Sequence, residues 1–310
     1  MKSGFDSFMA VFDAVTLDNL ITKKDIAEKA GLSVVSVSKI VNALINAGLI
    51  ISDGKVSTGG RRSEALAPDY FTKYAVINLC EKPFSYATAY LGERLSAKNG
   101  AASSVKYVPY LKDLDFAENV AAAANEIHSK CGKGTRVAIA IPPKHDLPGD
   151  YLGDNIAEIF TSRGLSLSVT VSKSHAVLFS PSVLSANAPS LYLSISQSVK
   201  GIYFGDSTVE MNWDGVMIDG LPYSEILKCS LKAEEIAAKT EKLIRSASDI
   251  LCVKSVLLDT CELPGEAVDI LLDKIDLLTD VTFSAPVLEG LLRLLAEYEI
   301  KKLAASPLHF

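Results

Sequence analysis

Apolar residues recur at helical spacing from the start of the chain. Phe5, Phe8, Met9, Phe12 and Val15 fall on one face of a helix over Ser3 to about Leu17. A second helix spans Thr22–Ala30, with Thr22 placed as its N-cap. Gly31 breaks it, and Ser33 caps a third helix that runs to about Ala47. In that third helix Val37, Ile40, Val41 and Leu44 mark the buried face, while Ser36, Ser38, Lys39 and Asn42 lie opposite. Gly48 is a C-terminal stop. Leu49, Ile50 and Ile51 then form a short strand, Asp53–Gly54 signals a tight turn, and Lys55–Val56 starts the return strand. Helix, turn, helix and hairpin predict a winged helix-turn-helix, whose second helix lies in the DNA major groove.

From Ser63 to Lys73 the periodicity fades around Pro68, which places a domain boundary after residue 68. Strands are predicted at Tyr74–Cys80, Phe84–Leu91 and Ser103–Val108. A helix follows over Asp113 to about Lys130, then a strand at Arg136–Ile141, a helix at Tyr151–Arg163, a strand at Leu165–Val171 and a helix at Ser174–Leu184. The second half opens with strands at Ser190–Ser196, Gly201–Gly205 and Val209–Trp213. A helix over Ser230–Ser246, a strand over Leu251–Leu258, a helix over Pro264–Ile275, a strand at Val281–Phe283 and a last helix over Ala285–Leu303 complete it. Residues 74–185 and 190–303 therefore both read β-β-β-α-β-α-β-α, a repeat at domain scale. Three units are expected: 1–68, 69–187 and 188–310.

Charge sharpens the reading of the first unit. The chain carries a formal net charge of −6. Between Thr22 and Arg62, however, seven cations (Lys23, Lys24, Lys29, Lys39, Lys55, Arg61, Arg62) stand against three anions (Asp25, Glu28, Asp53). A basic island on an acidic chain is an electrostatic footprint for nucleic acid. Thr58-Gly59-Gly60-Arg61-Arg62 follows the predicted wing and would bring two arginines to a DNA backbone or minor groove. Five cysteines without CxxC spacing (Cys80, Cys131, Cys229, Cys252, Cys261), no signal-like N-terminus and no run long enough to span a bilayer predict a reduced, cytoplasmic chain with no membrane partner.

GLSVVSVSKIVNALINAGLI, followed by STGGRRSEALAPDYFTKYAVINL, resembles the start of regulators of the ROK family (repressor, open reading frame, kinase). The resemblance implies a winged helix joined through a Gly-Arg-Arg segment to an actin-like, sugar-kinase-like fold of two lobes. The remainder of the chain matches that family in layout more than in motif. Where a ROK kinase has a glycine turn for ATP phosphates, this chain reads Asn78-Leu79-Cys80-Glu81-Lys82-Pro83. Where the catalytic Asp is expected it reads Ser172-Lys173-Ser174-His175, and of the second glycine run only Gly201 remains in Ser196–Gly201. The zinc cluster is reduced to Cys229, with no His between His175 and His309. A kinase stripped of these groups has little left with which to accelerate phosphoryl transfer.

The expected function is thus a DNA-binding, non-enzymatic transcriptional regulator, a repressor by family type, without cofactor or metal. Its partners are double-stranded DNA and a second copy of the chain, and the cleft leaves room for a sugar-like effector. Ser33, Val35, Ser36, Ser38, Lys39 and Asn42 are the predicted reading face. Thr22, Lys23 and Lys55 are predicted phosphate contacts, with Arg61 and Arg62 on backbone or minor groove. His145, Asp146, Asp150, Asn155, Asp206, Trp213 and Asp214 are polar or aromatic candidates for the cleft edge, without forming a constellation. The alternative is a ROK-type sugar kinase carrying a DNA-binding domain; a scaffold whose winged unit binds protein is a third reading.

Overall fold

A reciprocal cap starts the pair of helices near the N-terminus. In the computed structural model, which describes residues 4–18, 20–57, 62–95, 105–142, 153–184, 189–195, 199–226, 228–229, 231–259, 263–275, 281–283 and 286–305, Thr22 precedes helix α2 (Lys23–Ala30). Its hydroxyl accepts the Asp25 N–H at 3.3 Å, and the Asp25 carboxylate takes back the Thr22 N–H at 3.3 Å and the hydroxyl at 2.6 Å. Gly31, at φ +64°, ends the helix in the left-handed region. Ser33 then caps α3 (Val34–Asn46), accepting the Ser36 N–H at 3.1 Å. The four residues predicted to face inward, Val37, Ile40, Val41 and Leu44, are buried. They pack with Phe8, Phe12 and Val15 of α1 (Gly4–Asp18).

The hairpin differs from expectation. Strand β1 (Ile21–Thr22) joins a three-stranded sheet with β2 (Ile50–Ser57) and β3 (Arg62–Pro68), in the order β1-β3-β2. Asp53–Gly54 does not reverse the chain. Gly54 takes φ +89° inside β2, and the register shifts between Ser52, opposite Leu66, and Lys55, opposite Glu64. The pair is a bulge, the other common use of a left-handed glycine in a strand. The return strand is β3, so Arg62 pairs with Ser57 across the hairpin, and residues 63–68 are sheet rather than linker.

Two mixed five-stranded sheets follow. The first is built from β4 (Tyr74–Asn78), β5 (Phe84–Ala89), β6 (Val105–Val108), β7 (Arg136–Ile141) and β8 (Ser166–Ser172), with α4 (Phe116–Cys131), α5 (Gly153–Ser162), α6 (Lys173–Leu178) and α7 (Pro181–Leu184). The second is built from β9 (Ser190–Ile195), β10 (Val199–Phe204) and β11 (Thr208–Asn212), then β12 (Met217–Ile218), β13 (Leu221–Pro222), α8 (Tyr223–Ile226), α9 (Ala233–Leu251), β14 (Ser255–Asp259), α10 (Gly265–Ile275), β15 (Val281–Phe283) and α11 (Pro286–Ala305). The strand orders are β6-β5-β4-β7-β8 and β11-β10-β9-β14-β15, while β12 and β13 form a separate two-stranded ribbon. In each sheet the first strand is antiparallel to the second and parallel to the fourth. β4 and β9 are buried at every position, as a central strand covered on both faces must be. Alternation divides the residues between the faces: Ala75 and Ile77 pack with α4 and α5, Tyr74 and Val76 with the opposite layer.

That opposite layer is α11, and its place corrects the predicted division at 188–310. The last helix does not close the second sheet. Val287, Leu288, Leu291 and Leu295 cover Val76, Ala87, Ala138 and Ala140 of the first sheet, together with Ala176 and Val177 of α6. Arg293 on α11 makes a two-pronged ion pair with Asp13 on α1, Nη2 lying 2.9 Å from Oδ2. Phe12, α11 and the first sheet belong to one continuous apolar cluster. Among the described residues no helix is long and apolar enough to cross a membrane.

Gly290 is where α11 comes closest to its neighbour. A Cβ built there would stand 1.7 Å from the Ala176 carbonyl oxygen and 2.6 Å from its carbon, both backbone atoms of α6. Alanine in a helix interior is ordinarily better than glycine by about 1 kcal/mol. Here the sign should reverse, because neither backbone can retreat without opening the core. Gly290→Ala is expected to cost at least about 2 kcal/mol in urea-melt stability. An unchanged or raised midpoint would show that α6 and α11 are not in backbone contact.

Candidate nucleic-acid interface and interlobe cleft

The outer face of α3 is small, polar and partly apolar. Lys39 and Asn42 are exposed, Ser33 is exposed at the cap, and Ser36 and Ser38 are half-buried. Val35 is 68% exposed, and beside it Val34 is 51% exposed. Two valines left in water on the first turn of a packed helix gain nothing from folding. Their surface suits contact with an apolar group, and beside them the Ser33 and Ser36 hydroxyls lie 2.9 Å apart. Val34 was absent from the predicted set. The signal for it was its exclusion from the inward spacing of Val37, Ile40, Val41 and Leu44.

The predicted phosphate contacts divide. Thr22 is 4% exposed, and its hydroxyl and N–H are both committed to Asp25. Its role is to set the helix, which corrects its assignment as a contact. Lys23 lies 2.9 Å from Glu64 on β3. The Glu64 carboxyl is held below the usual range by hydrogen bonding from Lys23, with help from Ser52. Lys55 is exposed on β2, directly opposite Glu64 in register. Arg62 begins β3, and Arg61 lies outside the described residues.

Between the two large sheets lies a cavity of about 610 Å³. Its lining comes from both sheets, and two of the lining residues, Lys173 and Tyr192, belong to a buried polar cluster. Glu81, in the loop after β4, is 6% exposed and pairs with Lys173 at the start of α6. Ser194, on β9 across the cleft, donates to Glu81 Oε1 at 2.6 Å, and Asn78 Nδ2 donates to Oε2 at 3.2 Å. Lys173 Nζ also sits 5.4 Å from the Tyr192 ring, whose hydroxyl donates to Asp259 at 2.9 Å. Burial alone would push the Lys173 ammonium down. The Glu81 charge and hydrogen bond, with Asp259 behind them, outweigh it and hold Lys173 above the ordinary lysine value. Burial pushes the Cys80 thiol up to about 12, so it stays protonated and is no nucleophile. Lys82, stacked over Tyr110 at 4.2 Å, and Lys200 line the mouth.

His175 does not line this cavity; it is exposed and its ring lies 5.0 Å from Phe179. Trp213 is buried in the second lobe against Gly201, and Asp214 accepts the Val199 N–H at 2.6 Å. Asn155 and Asp206 are exposed elsewhere, and His145, Asp146 and Asp150 fall outside the described residues. Among the described residues no group of three His, Cys, Asp or Glu is placed to hold a metal ion.

No family model and no curated protein matches the sequence. Solved structures do match in shape. One, described as a ROK family transcriptional regulator and homologue of the E. coli MLC protein, superposes with a TM-score of 0.54. It covers 97% of this chain and 99% of its own, at 12% identity. The chain shares the fold of that protein. The ROK hexokinase of Thermus thermophilus (TM-score 0.36, 16% identity, 71% of this chain and 98% of that one) scores too low to add to this. The same holds for a ROK glucokinase of Streptomyces griseus in complex with glucose and AMPPNP (0.41, 10%, 71% and 97%).

In this ROK fold the segment expected to cradle phosphates, Asn78–Pro83, instead supplies Glu81. A carboxylate there repels phosphate, and its own hydrogen bonds tie it to Lys173, Ser194 and Asn78. Sequence reasoning named Glu81 and Lys173 only as replacements. Their pairing across 92 residues needed the fold. Removing one partner of a buried pair leaves the other uncompensated. Glu81→Gln or Lys173→Met alone should therefore lower stability by about 3 kcal/mol or more, while the double variant should recover most of that stability. Urea melts of the four proteins check this. Because Glu81 holds the Lys173 ammonium above the ordinary lysine value, the lysine stays charged near neutral pH and the difference should be flat from about pH 6 to 9. Additive effects of the two single variants would mean that the two groups are not coupled.

Proposed function

We propose that the chain is a DNA-binding transcriptional regulator of the ROK family whose kinase-like lobes do not catalyse. In this reading α2, α3 and the β2–β3 hairpin form a winged helix-turn-helix, and the two five-stranded sheets are duplicated lobes of an actin-like unit. The observation that carries it is the outer face of α3. Exposed Val34, Val35, Lys39 and Asn42 stand over a fully packed inner face, beside a hairpin that carries Lys55 and leads to Arg61 and Arg62. Such a face matches the chemistry of base edges and methyl groups.

Ser33, Val34, Val35, Ser36, Ser38, Lys39 and Asn42 would enter the major groove. Lys23 and Lys55 would meet phosphates, and the two arginines at the hairpin would reach backbone or minor groove. Thr22 holds α2 in place for them. Reading two half-sites calls for a homodimer in the cytoplasm. The cleft lined by Lys173, Tyr192 and Lys200 would take a sugar-like effector, closing the lobes and altering the separation of the two reading helices. The tied state of Glu81, the inert Cys80 and the displaced His175 support the non-catalytic reading over a kinase.

Fluorescence anisotropy on the DNA upstream of the protein's own gene tests it. Binding should fall steeply with salt. Arg61→Ala/Arg62→Ala should reduce the salt slope by about two, since each phosphate left without its arginine lowers it by about 0.9. Ser36→Glu/Lys39→Glu should abolish binding. Failure to bind this or random duplex at low salt would move the scaffold reading forward. Sugar-dependent ATP turnover would restore the kinase, and a monomer at micromolar concentration would remove the dimer.

A further inference from the structure

A second cavity, of about 260 Å³, lies away from the interlobe cleft, where α1 meets α11 and the loop after β5. Phe12, Leu292 and Ala296 form its buried floor. Leu17 on α1 and Leu184 on α7 stand at its rim, and both are largely exposed. An apolar floor with two solvated leucines at its edge is a recess that gains by being filled. An apolar cavity of about 150 Å³ holds benzene, so this one has room for a ring with a short polar substituent.

Its polar groups are few and mostly committed. Arg293 is spent on Asp13. Glu289, from α11, is buried; it receives the Ser180 and Ser182 hydroxyls at 3.0 and 2.5 Å and a backbone hydrogen bond from Leu95, and no ion pair to it is found among the described residues. Burial holds its carboxyl above the usual range, and the Arg94 charge offsets only part of that. Glu93 and Arg94 complete the lining, so three carboxylates meet two guanidinium groups. The cavity thus holds one buried carboxylate that among the described residues is hydrogen-bonded but not ion-paired, with only the Arg94 charge near it, beside an apolar floor.

The geometry points to a binding site for a small molecule with an apolar ring or short alkyl body and a cationic head, an amine or amidine. The body covers Phe12 and Leu292, and the head donates to Glu289 in charge-assisted hydrogen bonds. The walls belong to three parts of the chain. α1 packs on α2 and α3, the loop after β5 belongs to the first lobe, and α11 spans both. Gly92 in that loop is so near α1 that a Cβ would lie 2.3 Å from the Thr16 methyl. A molecule held here fixes α1 against the first lobe. Its effect on DNA affinity rests on the regulator reading; its binding does not.

Benzamidine is the probe, and benzoate, the same ring with the opposite charge, is the control. Titration calorimetry on the full chain should show saturable benzamidine binding of about millimolar affinity or tighter, and none for benzoate. Glu289→Gln keeps the shape and the serine contacts. Leu184→Arg changes only the exposed rim and puts a cation at the mouth. Each should weaken benzamidine by about tenfold or more. Hydrogen exchange should show added protection of α1 amides on saturation. Equal binding of benzoate, wild-type affinity in both variants, no saturable binding, or unchanged α1 protection would each overturn the proposal. Benzamidine binding by a chain that ignores DNA removes the regulator reading and keeps this site; DNA binding without benzamidine binding does the reverse.

Discussion

The backbone contact between α11 and α6 at Gly290 is the constraint on which the rest is arranged. It lets the C-terminal helix lie flat across β4, β5 and β7, whose inward residues are small: Val76, Ala87, Ala138 and Ala140. A bulkier residue at 290 would lift the helix and leave that face of the sheet in water. The first lobe therefore completes its core only with residues from the far end of the chain. The same helix presents Arg293 to Asp13, so the orientation of the N-terminal unit is referred to α11 as well. A two-pronged Arg–carboxylate pair fixes direction as well as distance, and this one is joined to an apolar cluster that continues through Phe12 into the helix pair.

The second sheet meets this arrangement through Tyr192, Ile202, Phe204 and Leu257, which belong to the same apolar cluster. Polar contacts add to it, Ser194 donating to Glu81 and Lys173 lying over the Tyr192 ring. Buried ion pairs are weak sources of stability, since the cost of desolvation offsets much of the attraction. Their value is in geometry. Glu81 accepts from Lys173, Ser194 and Asn78, which is close to its full acceptor capacity, so the lobes meet in one register. Rotation of one sheet against the other must break the Ser194 contact and disturb the apolar cluster that α11 shares with both.

Local patterning revealed most of the secondary structure. Caps at Thr22 and Ser33, the left-handed stop at Gly31, and the inward spacing of α3 are short-range and were legible. Asp53–Gly54 was misread because a left-handed glycine serves a turn and a bulge equally well; only the pairing of Lys55 with Glu64 separates them. The position of α11 was illegible for a different reason. Leu288, Leu291, Leu292 and Leu295 reveal a buried face but not which sheet it covers. Glu289, Gly290, Arg293 and Glu299 on the same helix carried the missing information, since an apolar helix studded with buried charge must meet specific partners, here Ser180, Ala176, Asp13 and Arg136. The cluster of Glu81, Lys173 and Ser194 was not legible, because the three share no spacing rule.

The charge of the N-terminal unit shows how a linear window misleads. Seven cations and three anions lie between Thr22 and Arg62. Two of those cations are met by carboxylates just outside the window: Lys23 by Glu64 and Lys29 by Asp18. The surplus of four falls to two. At physiological salt, charges beyond about 8 Å are screened, so on the regulator reading the −6 of the whole chain would do little to oppose binding at the hairpin. Attraction would come from the cations there and from the N-terminal end of α3, where the helix dipole favours a phosphate. With so small a surplus, discrimination would fall to direct contact by the α3 face, and the two valines held in water on its first turn would meet a complementary apolar surface there.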